Sequence, residues 1–142
     1  MATNQLHRGR LIDHVQLVVR DFKASETFYR AVMSVLDIPV FVMGDDYLMA
    51  DELVVSSVGS ATASGQLTGR HHLAFQAKDR ATVDAFYSAA LAHGGRDNGA
   101  PGLRAYHPSY YAAFVLDPDG NNIEAVHQGE AKRSAPSVTI DF

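Results

Sequence analysis

One segment of this chain occurs twice. Residues 13–31 align with residues 71–89 without a gap, 58 positions apart. Each copy begins with alternating residues that predict a strand and continues with a spacing that predicts a helix. The aligned identities are His14/His72, Asp21/Asp79, Phe28/Phe86, Tyr29/Tyr87 and Ala31/Ala89. Because an internal repeat indicates a duplicated structural unit, we expect two similar modules.

The first module is predicted to open with a strand over Leu11–Val19. Asp21 is placed to cap a helix that runs to about Leu36, because its carboxylate can accept from the unpaired N–H groups of the first turn. Gly59–Gly69 is rich in Gly, Ser and Thr and is expected to link the modules. Short strands are expected near Val40–Met43, Tyr47–Ala50 and Leu53–Val58.

The second module repeats this order. A strand is expected over His72–Ala77, with Asp79 as the helix cap and the helix ending at His93-Gly94-Gly95. A Gly/Pro-rich loop is expected over Asp97–Pro108. A hairpin should follow, with strands Tyr110–Leu116 and Asn121–His127 turning through Asp117-Pro118-Asp119-Gly120.

Each module therefore reads β-α-β-β-β, which predicts an α+β fold. We expect two βαβββ modules forming a curved sheet around a shared cleft, with the helices outside. The predicted organisation is an N-terminal tail (1–10), a single domain (11–127) and a C-terminal tail (128–142). Within the domain, module one spans 11–58, the linker 59–69 and module two 70–127. Val138–Ile140 is either flexible or a late edge strand.

Composition narrows the classes of function. A length of 142 residues with 46% hydrophobic and 20% charged residues is typical of one globular domain. A net charge of −4 with scattered basic residues disfavours nucleic-acid binding. The absence of cysteine excludes disulfides and thiolate ligands. No signal peptide or membrane-length apolar run is present, so we expect a cytoplasmic protein.

Two histidines and a glutamate are the candidate metal ligands. Strand alternation places His14 and His72 on the faces away from the helices, and Glu124 on the equivalent face of the last hairpin strand. Two imidazoles and a carboxylate suit Fe, Mn, Ni, Co or Zn, and leave positions open for substrate. Taken singly, such histidines are usually structural and such a glutamate is usually a solvated edge charge. The equivalence of His14 and His72 in the repeat favours a site.

These features together resemble the vicinal oxygen chelate superfamily. The resemblance rests on the openings Ile12-Asp13-His14-Val15 and His71-His72-Leu73-Ala74 and the closing Asp117–Glu124, within a span from Leu11 to Val126. The family contains glyoxalase I, extradiol dioxygenases, methylmalonyl-CoA epimerase and the bleomycin and fosfomycin resistance proteins.

The resemblance implies a ligand set. His14 matches the family's first ligand, His72 the third and Glu124 the fourth. The second should lie in Leu53–Val58, where alternation offers Val54 or Ser56 and no carboxylate, in contrast to glyoxalase I. The remaining two histidines and one carboxylate resemble the iron ligands of the extradiol dioxygenases.

A dioxygenase-like pattern is partly present near the hairpin. His107 stands at a suitable spacing before Glu124, and its unperturbed pKa near neutrality suits a base. The position where that family has a tyrosine reads Ala113-Phe114, so Tyr110 or Tyr111 would have to substitute. A five-residue hairpin loop would place Tyr110 on the face of Glu124, and a four-residue loop would place Tyr111 there.

The implied function is a metal-dependent enzyme, either an isomerase or lyase or a ring-cleaving dioxygenase. Its small oxygenated substrate would be chelated by the metal, with His107, Tyr110 or Tyr111 moving a proton. A homodimer is expected, with neither nucleic-acid nor membrane partners, and the modules can close their clefts either within one chain or across the dimer. The alternatives are a bleomycin-resistance-like protein that sequesters a small molecule without catalysis, and a degenerate, non-catalytic domain.

Overall fold

The computed structural model describes residues 5–8, 12–61, 71–106, 108–130 and 138–141. His107 and most of the predicted linker lie outside these residues. The elements are β1 (Gln5–Arg8), β2 (Val15–Val19), α1 (Phe22–Val35), β3 (Phe41–Met43), β4 (Tyr47–Ala50), β5 (Leu53–Ser57), β6 (His72–Gln76), α2 (Arg80–Ala92), β7 (Arg96–Leu103), β8 (Tyr111–Leu116), β9 (Asn122–His127) and β10 (Val138–Asp141).

The strands form two four-stranded sheets of the same design. Module one has the order β2-β5-β4-β3 and module two the order β6-β9-β8-β7. In each sheet the first strand pairs in parallel with the last, and the remaining pairs are antiparallel. The predicted α+β fold of two βαβββ modules is therefore confirmed.

Both repeated aspartates cap a helix. The Asp21 carboxylate accepts from the backbone N–H of Ala24 at 3.1 Å, and that of Asp79 accepts from Thr82 at 2.7 Å. Each bond satisfies a backbone donor that the first helical turn leaves without a partner. The two modules thus share the same aspartate-capped helix start.

A single apolar core joins the modules. The helices α1 and α2 pack against each other, and each also lies on the sheet of its own module. Leu17 and Val19 of β2 and Ile123 and Ala125 of β9 are buried in this core. Full burial of a Leu, Val or Ile side chain contributes about 1.5–3 kcal/mol. The neighbouring residues on these strands must then face away from the helices, as the alternation predicted.

The strand β7 occupies a segment that was predicted as a loop. Gly99 has φ +146°, a conformation that favours glycine, and the β7–β8 register shifts on both sides of it. Such bulges and a proline, here Pro101, are tolerated on an edge strand. Because bulges and glycines interrupt the alternation, the sequence pattern did not reveal this strand.

The chain termini pair with each other. Gln5–Arg8 forms an antiparallel ladder with Val138–Asp141, which makes a separate two-stranded sheet. Of the two alternatives for the C-terminal segment, the late edge strand is therefore the one observed. Its partner β1 was not expected, because that segment was assigned to a tail.

A buried carboxylate connects the two modules. Asp117, 1% exposed, lies in the loop between β8 and β9 and accepts the hydroxyl proton of Tyr29 on α1 at 2.6 Å. It also accepts from Asn121 Nδ2 at 2.9 Å and from the backbone N–H groups of Asp119 and Asn121 at 2.9 and 2.8 Å. These four donors satisfy the carboxylate, which has about four acceptor positions.

We expect Tyr29→Phe to destabilise the protein, because it removes a donor from a buried charged group. The loss should be about 1.5–3 kcal/mol in the free energy of unfolding. Urea unfolding followed by circular dichroism measures it. Tyr106→Phe is the matched control, since Tyr106 is 73% exposed. Equal stability of the two variants would contradict a structural role for the Tyr29–Asp117 bond.

Candidate functional site

Glu124 is a buried acid on the sheet face turned away from α2. It lies in the middle of β9, paired with Ala74 of β6 and Phe114 of β8. Its neighbours Ile123 and Ala125 belong to the apolar core on the other face. Glu124 is only 2% exposed, and burial of a carboxylate is costly unless strong partners compensate for it. This residue is therefore the centre of the candidate site.

Two titratable side chains hold Glu124. Nε2 of His72 lies 2.9 Å from Oε1, while Tyr110 donates its hydroxyl proton to Oε2. The His72 side chain is 52% exposed, so the site opens to solvent on the imidazole side. The structure thus brings together three of the residues singled out from the sequence.

The bonding of Glu124 differs from that of the other buried carboxylate, Asp117. Asp117 accepts four hydrogen bonds from the hairpin loop and α1. Glu124 has two partners among the described residues, one of them a histidine whose nitrogen could equally serve as a ligand. Since a carboxylate has about four acceptor positions, Glu124 keeps capacity for a further partner.

Tyr110 keeps its proton at neutral pH. Burial, followed by the hydrogen bond to Glu124, raises the pKa of Tyr110 to about 12. Both causes act in the same direction, because each disfavours a second negative charge beside Glu124. The phenol is therefore a fixed O–H donor at the edge of the site.

An aromatic and cationic wall continues the site along β8. The ring of Phe114 lies 5.9 Å from that of His72, between centroids. On the β7 side the guanidinium carbon of Arg104 lies 5.3 Å from the Phe114 centroid. The ring of Tyr106 meets that of Tyr110 edge-on at 4.9 Å. We call Arg104, Phe114, Tyr106 and Tyr110 the aromatic wall.

The register of the β8–β9 hairpin determines which tyrosine reaches Glu124. Leu116 pairs with Asn122, so five residues form the loop and Tyr110 belongs to the face of Glu124. Tyr111 points to the helix side, where its hydroxyl donates to Asp84 at 2.7 Å. The third predicted catalytic residue, His107, is outside the described residues.

His14 stands apart from this group, one residue before β2. Its Nδ1–H donates to the carboxylate of the adjacent Asp13 at 2.6 Å, and its side chain is 53% exposed. This bond leaves Nε2 as the nitrogen with a lone pair, the arrangement found where a histidine binds a metal.

Module one has no counterpart of Glu124. In module two Ala74 pairs with Glu124, and the repeat makes Gln16 the equivalent of Ala74. Gln16 pairs with Val54, so an apolar residue occupies the position of the carboxylate. The next residue on that face, Ser56, is buried and accepts from Gln16 Nε2 at 2.8 Å. This pairing agrees with the expectation that the position of the family's second metal ligand carries no carboxylate.

The pair His72 and Glu124 fits a divalent metal, whereas the full set of three does not assemble in the described part of one chain. Metal–ligand distances of about 2.1 Å put adjacent ligand atoms about 3 Å apart, which matches the observed pair. Within the described ranges no three His, Cys, Asp or Glu side chains form a metal-binding group. A metal held by His72 and Glu124 would therefore need a third ligand from elsewhere.

Comparison with known proteins identifies the family. Residues 11–125 match the family model of the Glyoxalase/Bleomycin resistance protein/Dioxygenase superfamily. This match covers most of the chain, so the protein belongs to that superfamily. Its members include enzymes as well as binding proteins, and membership leaves the reaction open. A comparison with curated proteins finds no match.

Solved structures support the same fold. A glyoxalase/bleomycin resistance protein from Albidiferax ferrireducens is 29% identical, with TM-score 0.65, covering 82% of this chain and 98% of that one. A lactoylglutathione lyase from Agrobacterium tumefaciens is 21% identical, with TM-score 0.61 and coverage of 83% and 93%. A glyoxalase-related enzyme from Fulvimarina pelagi is 17% identical, with TM-score 0.66 and coverage of 93% and 98%. Among the described residues no helix has the length and apolar character to cross a membrane.

Sequence reasoning gave no individual role to Phe114 or Arg104. The sequence pattern placed Phe114 on the face of Glu124 only for a five-residue hairpin loop, and placed Arg104 in the stretch 104–111, read either as a substrate-binding lip or as a loop packed on the cleft rim. The available signal was the pair Gly99 and Gly102 before Arg104, because closely spaced glycines in a strand often mark a close approach of other groups.

The adjacent tyrosines provide a matched test of the site. We expect Tyr110→Phe to lower the free energy of unfolding by about 2 kcal/mol, because the buried Glu124 loses a donor. Tyr111→Phe should cost about 0.5 kcal/mol or less, because its partner Asp84 is exposed. Urea unfolding measures both. A larger loss for Tyr111→Phe would contradict the observed register.

Proposed function

We propose that this protein is a metal-dependent enzyme in which His72, Glu124 and His14 bind a divalent ion. The reaction is that of an isomerase or a lyase, or a ring-cleaving dioxygenation, and it acts on a small oxygenated substrate. The observation that carries this proposal is the buried carboxylate of Glu124 with unused acceptor capacity beside the solvent-facing His72. Buried titratable groups of this kind concentrate at functional sites.

The chain's own residues prepare the ligands. His72 and Glu124 present a nitrogen and an oxygen 2.9 Å apart, as neighbouring coordination positions require. Asp13 holds the Nδ1 proton of His14, which directs the lone pair to Nε2. Once bound, Fe, Mn, Ni, Co or Zn supplies a Lewis acid that polarises the oxygens of a chelated substrate.

Tyr110 and Phe114 define the surroundings of the chemistry. The O–H of Tyr110 fixes the orientation of Glu124 and can exchange a proton with a substrate oxygen placed at the edge of the wall. The Phe114 ring lies beside that of His72, with the two centroids 5.9 Å apart. His107 is a further candidate base on sequence grounds.

A homodimer would supply the third ligand. His14 and the His72–Glu124 pair lie on different sheets, and no pairing joins these sheets in the described ranges. A two-fold dimer that apposes module one of one copy to module two of the other creates two equivalent clefts. In each cleft His14 from one copy faces His72 and Glu124 of the other.

Metal content tests the ligand assignment. Tag-free wild-type protein should contain about one divalent ion per chain by elemental analysis, because each cleft offers three ligands. His72→Ala and Glu124→Gln should lose most of it. The control is His93→Ala, which removes an exposed histidine bonded to the Ala89 carbonyl at the end of α2.

The opposite result has a definite meaning. Wild-type protein that is free of metal and takes up none of the five added divalent ions would overturn the enzyme proposal. The protein would then be better explained as a binding protein of the bleomycin-resistance kind, in which apolar residues such as Val54 contact the bound molecule.

Mixed dimers test whether the ligands come from two copies. His14→Ala and His72→Ala proteins should each bind little metal alone. When they are unfolded together and refolded, half of the dimers are mixed, and each mixed dimer contains one intact cleft. Metal binding should therefore recover to about a quarter of the wild-type value.

The control is each variant unfolded and refolded alone, which should recover nothing. No recovery in the mixture, despite mixed dimers detected by native mass spectrometry of differently isotope-labelled variants, would place all ligands in one chain.

A further inference from the structure

We infer that Arg104 is a carboxylate-recognition residue, so that the substrate carries an anionic carboxylate in addition to its chelating oxygens. This inference rests on the proposed function, since it concerns the same cleft. It assigns a role in substrate specificity to a residue that lies beside the proposed metal-binding residues and is not one of them.

The backbone places Arg104 on the side of the site. Its N–H donates to the carbonyl of Tyr110 at 2.8 Å, which continues the β7–β8 ladder beyond Leu103 and Tyr111. Residues directly opposite in an antiparallel pair share a face. Arg104 therefore shares the face of Tyr110 and Glu124, and its guanidinium covers Phe114 at 5.3 Å.

Two glycines leave the space that this guanidinium occupies. A Cβ on Gly99 would lie 3.3 Å from Nη2 of Arg104 and 3.2 Å from the Phe114 ring. A Cβ on Gly102 would lie 3.2 Å from Nη1. These contacts are tighter than ordinary packing, so the bulged strand accommodates this particular position of the arginine.

The positive charge of Arg104 is held by backbone dipoles. Nη2 donates to the Ala100 carbonyl at 2.7 Å and Nη1 to the Leu103 carbonyl at 3.5 Å. In the part of the chain that the structure describes, Arg104 forms no ion pair, whereas Arg30 pairs with Glu26 at 2.9 Å.

A ligand carboxylate is the partner that this arrangement favours. A guanidinium has five N–H donors in a planar fork that matches a carboxylate, and stacking on a ring keeps the fork in place. The backbone carbonyls use only part of that capacity. Because Phe114 lies between Arg104 and His72, a planar acid on the wall would reach the guanidinium at one end and the metal ligands at the other.

Benzoate and its neutral counterpart benzamide are suitable probes. Ligand-observed NMR titration of the protein as purified should show benzoate binding more tightly by about tenfold, the weight of one charge-assisted interaction. Arg104→Met should abolish this preference, and Arg104→Lys should restore part of it. Arg96→Met, at the exposed start of the same strand, is the matched control and should retain it.

Metal analysis on the same samples separates this inference from the proposed function. Arg104→Met should keep the wild-type metal content. Loss of benzoate preference with unchanged metal supports the inference. Equal binding of the two probes by wild type, or a preference that survives Arg104→Met, overturns it. A third outcome is possible, in which wild type prefers benzoate, Arg104→Met loses that preference, and neither protein binds metal. This outcome would support the inference and contradict the proposed metal site.

Discussion

The site depends on the hydrogen bonds of Asp117. This carboxylate binds three donors of its own loop, Asp119 N–H, Asn121 N–H and Asn121 Nδ2, and so fixes a five-residue connection between β8 and β9. Loop length determines hairpin register, and a shift of one residue reverses the face of every side chain on the strand. With one residue fewer in the loop, Tyr111 would replace Tyr110 beside Glu124. The hydrogen bonds that stabilise the loop therefore also determine which side chains form the site.

The fourth donor to Asp117 couples the modules. Tyr29 belongs to α1, yet its hydroxyl completes a carboxylate in the second module, 88 residues away in sequence. Because that bond is buried, its loss would leave one acceptor position of the carboxylate without a partner, either protein or solvent. Within one chain, α1 of module one thus influences the position of Tyr110 through this loop, without placing a side chain beside Glu124.

The repeat revealed the fold because it duplicated local signals. The capping aspartates and the core-facing residues each depend on a few neighbouring positions, and each was found as predicted from those positions. The hairpin register depended on Tyr29 and on loop geometry, so alternation alone could not choose between Tyr110 and Tyr111. The strand β7 was missed because Gly99, Pro101 and Gly102 remove the alternating pattern. The pairing of β1 with β10 joins the two ends of the chain, and no local signal specifies such a contact.

Divergence between the modules matters as much as their similarity. Each module retains a histidine at the start of its first strand, but only the second has a carboxylate opposite that strand, because Val54 occupies the corresponding position in the first. A single module pair can therefore supply one three-ligand site and not two. In the proposed dimer, the buried charge of Glu124 would lie on one sheet, and the facing sheet would present His14 together with Gln16 and Val54. In the proposed dimer, a substrate between these sheets would meet the buried carboxylate on one side only, which favours a flat molecule with its oxygens along one edge.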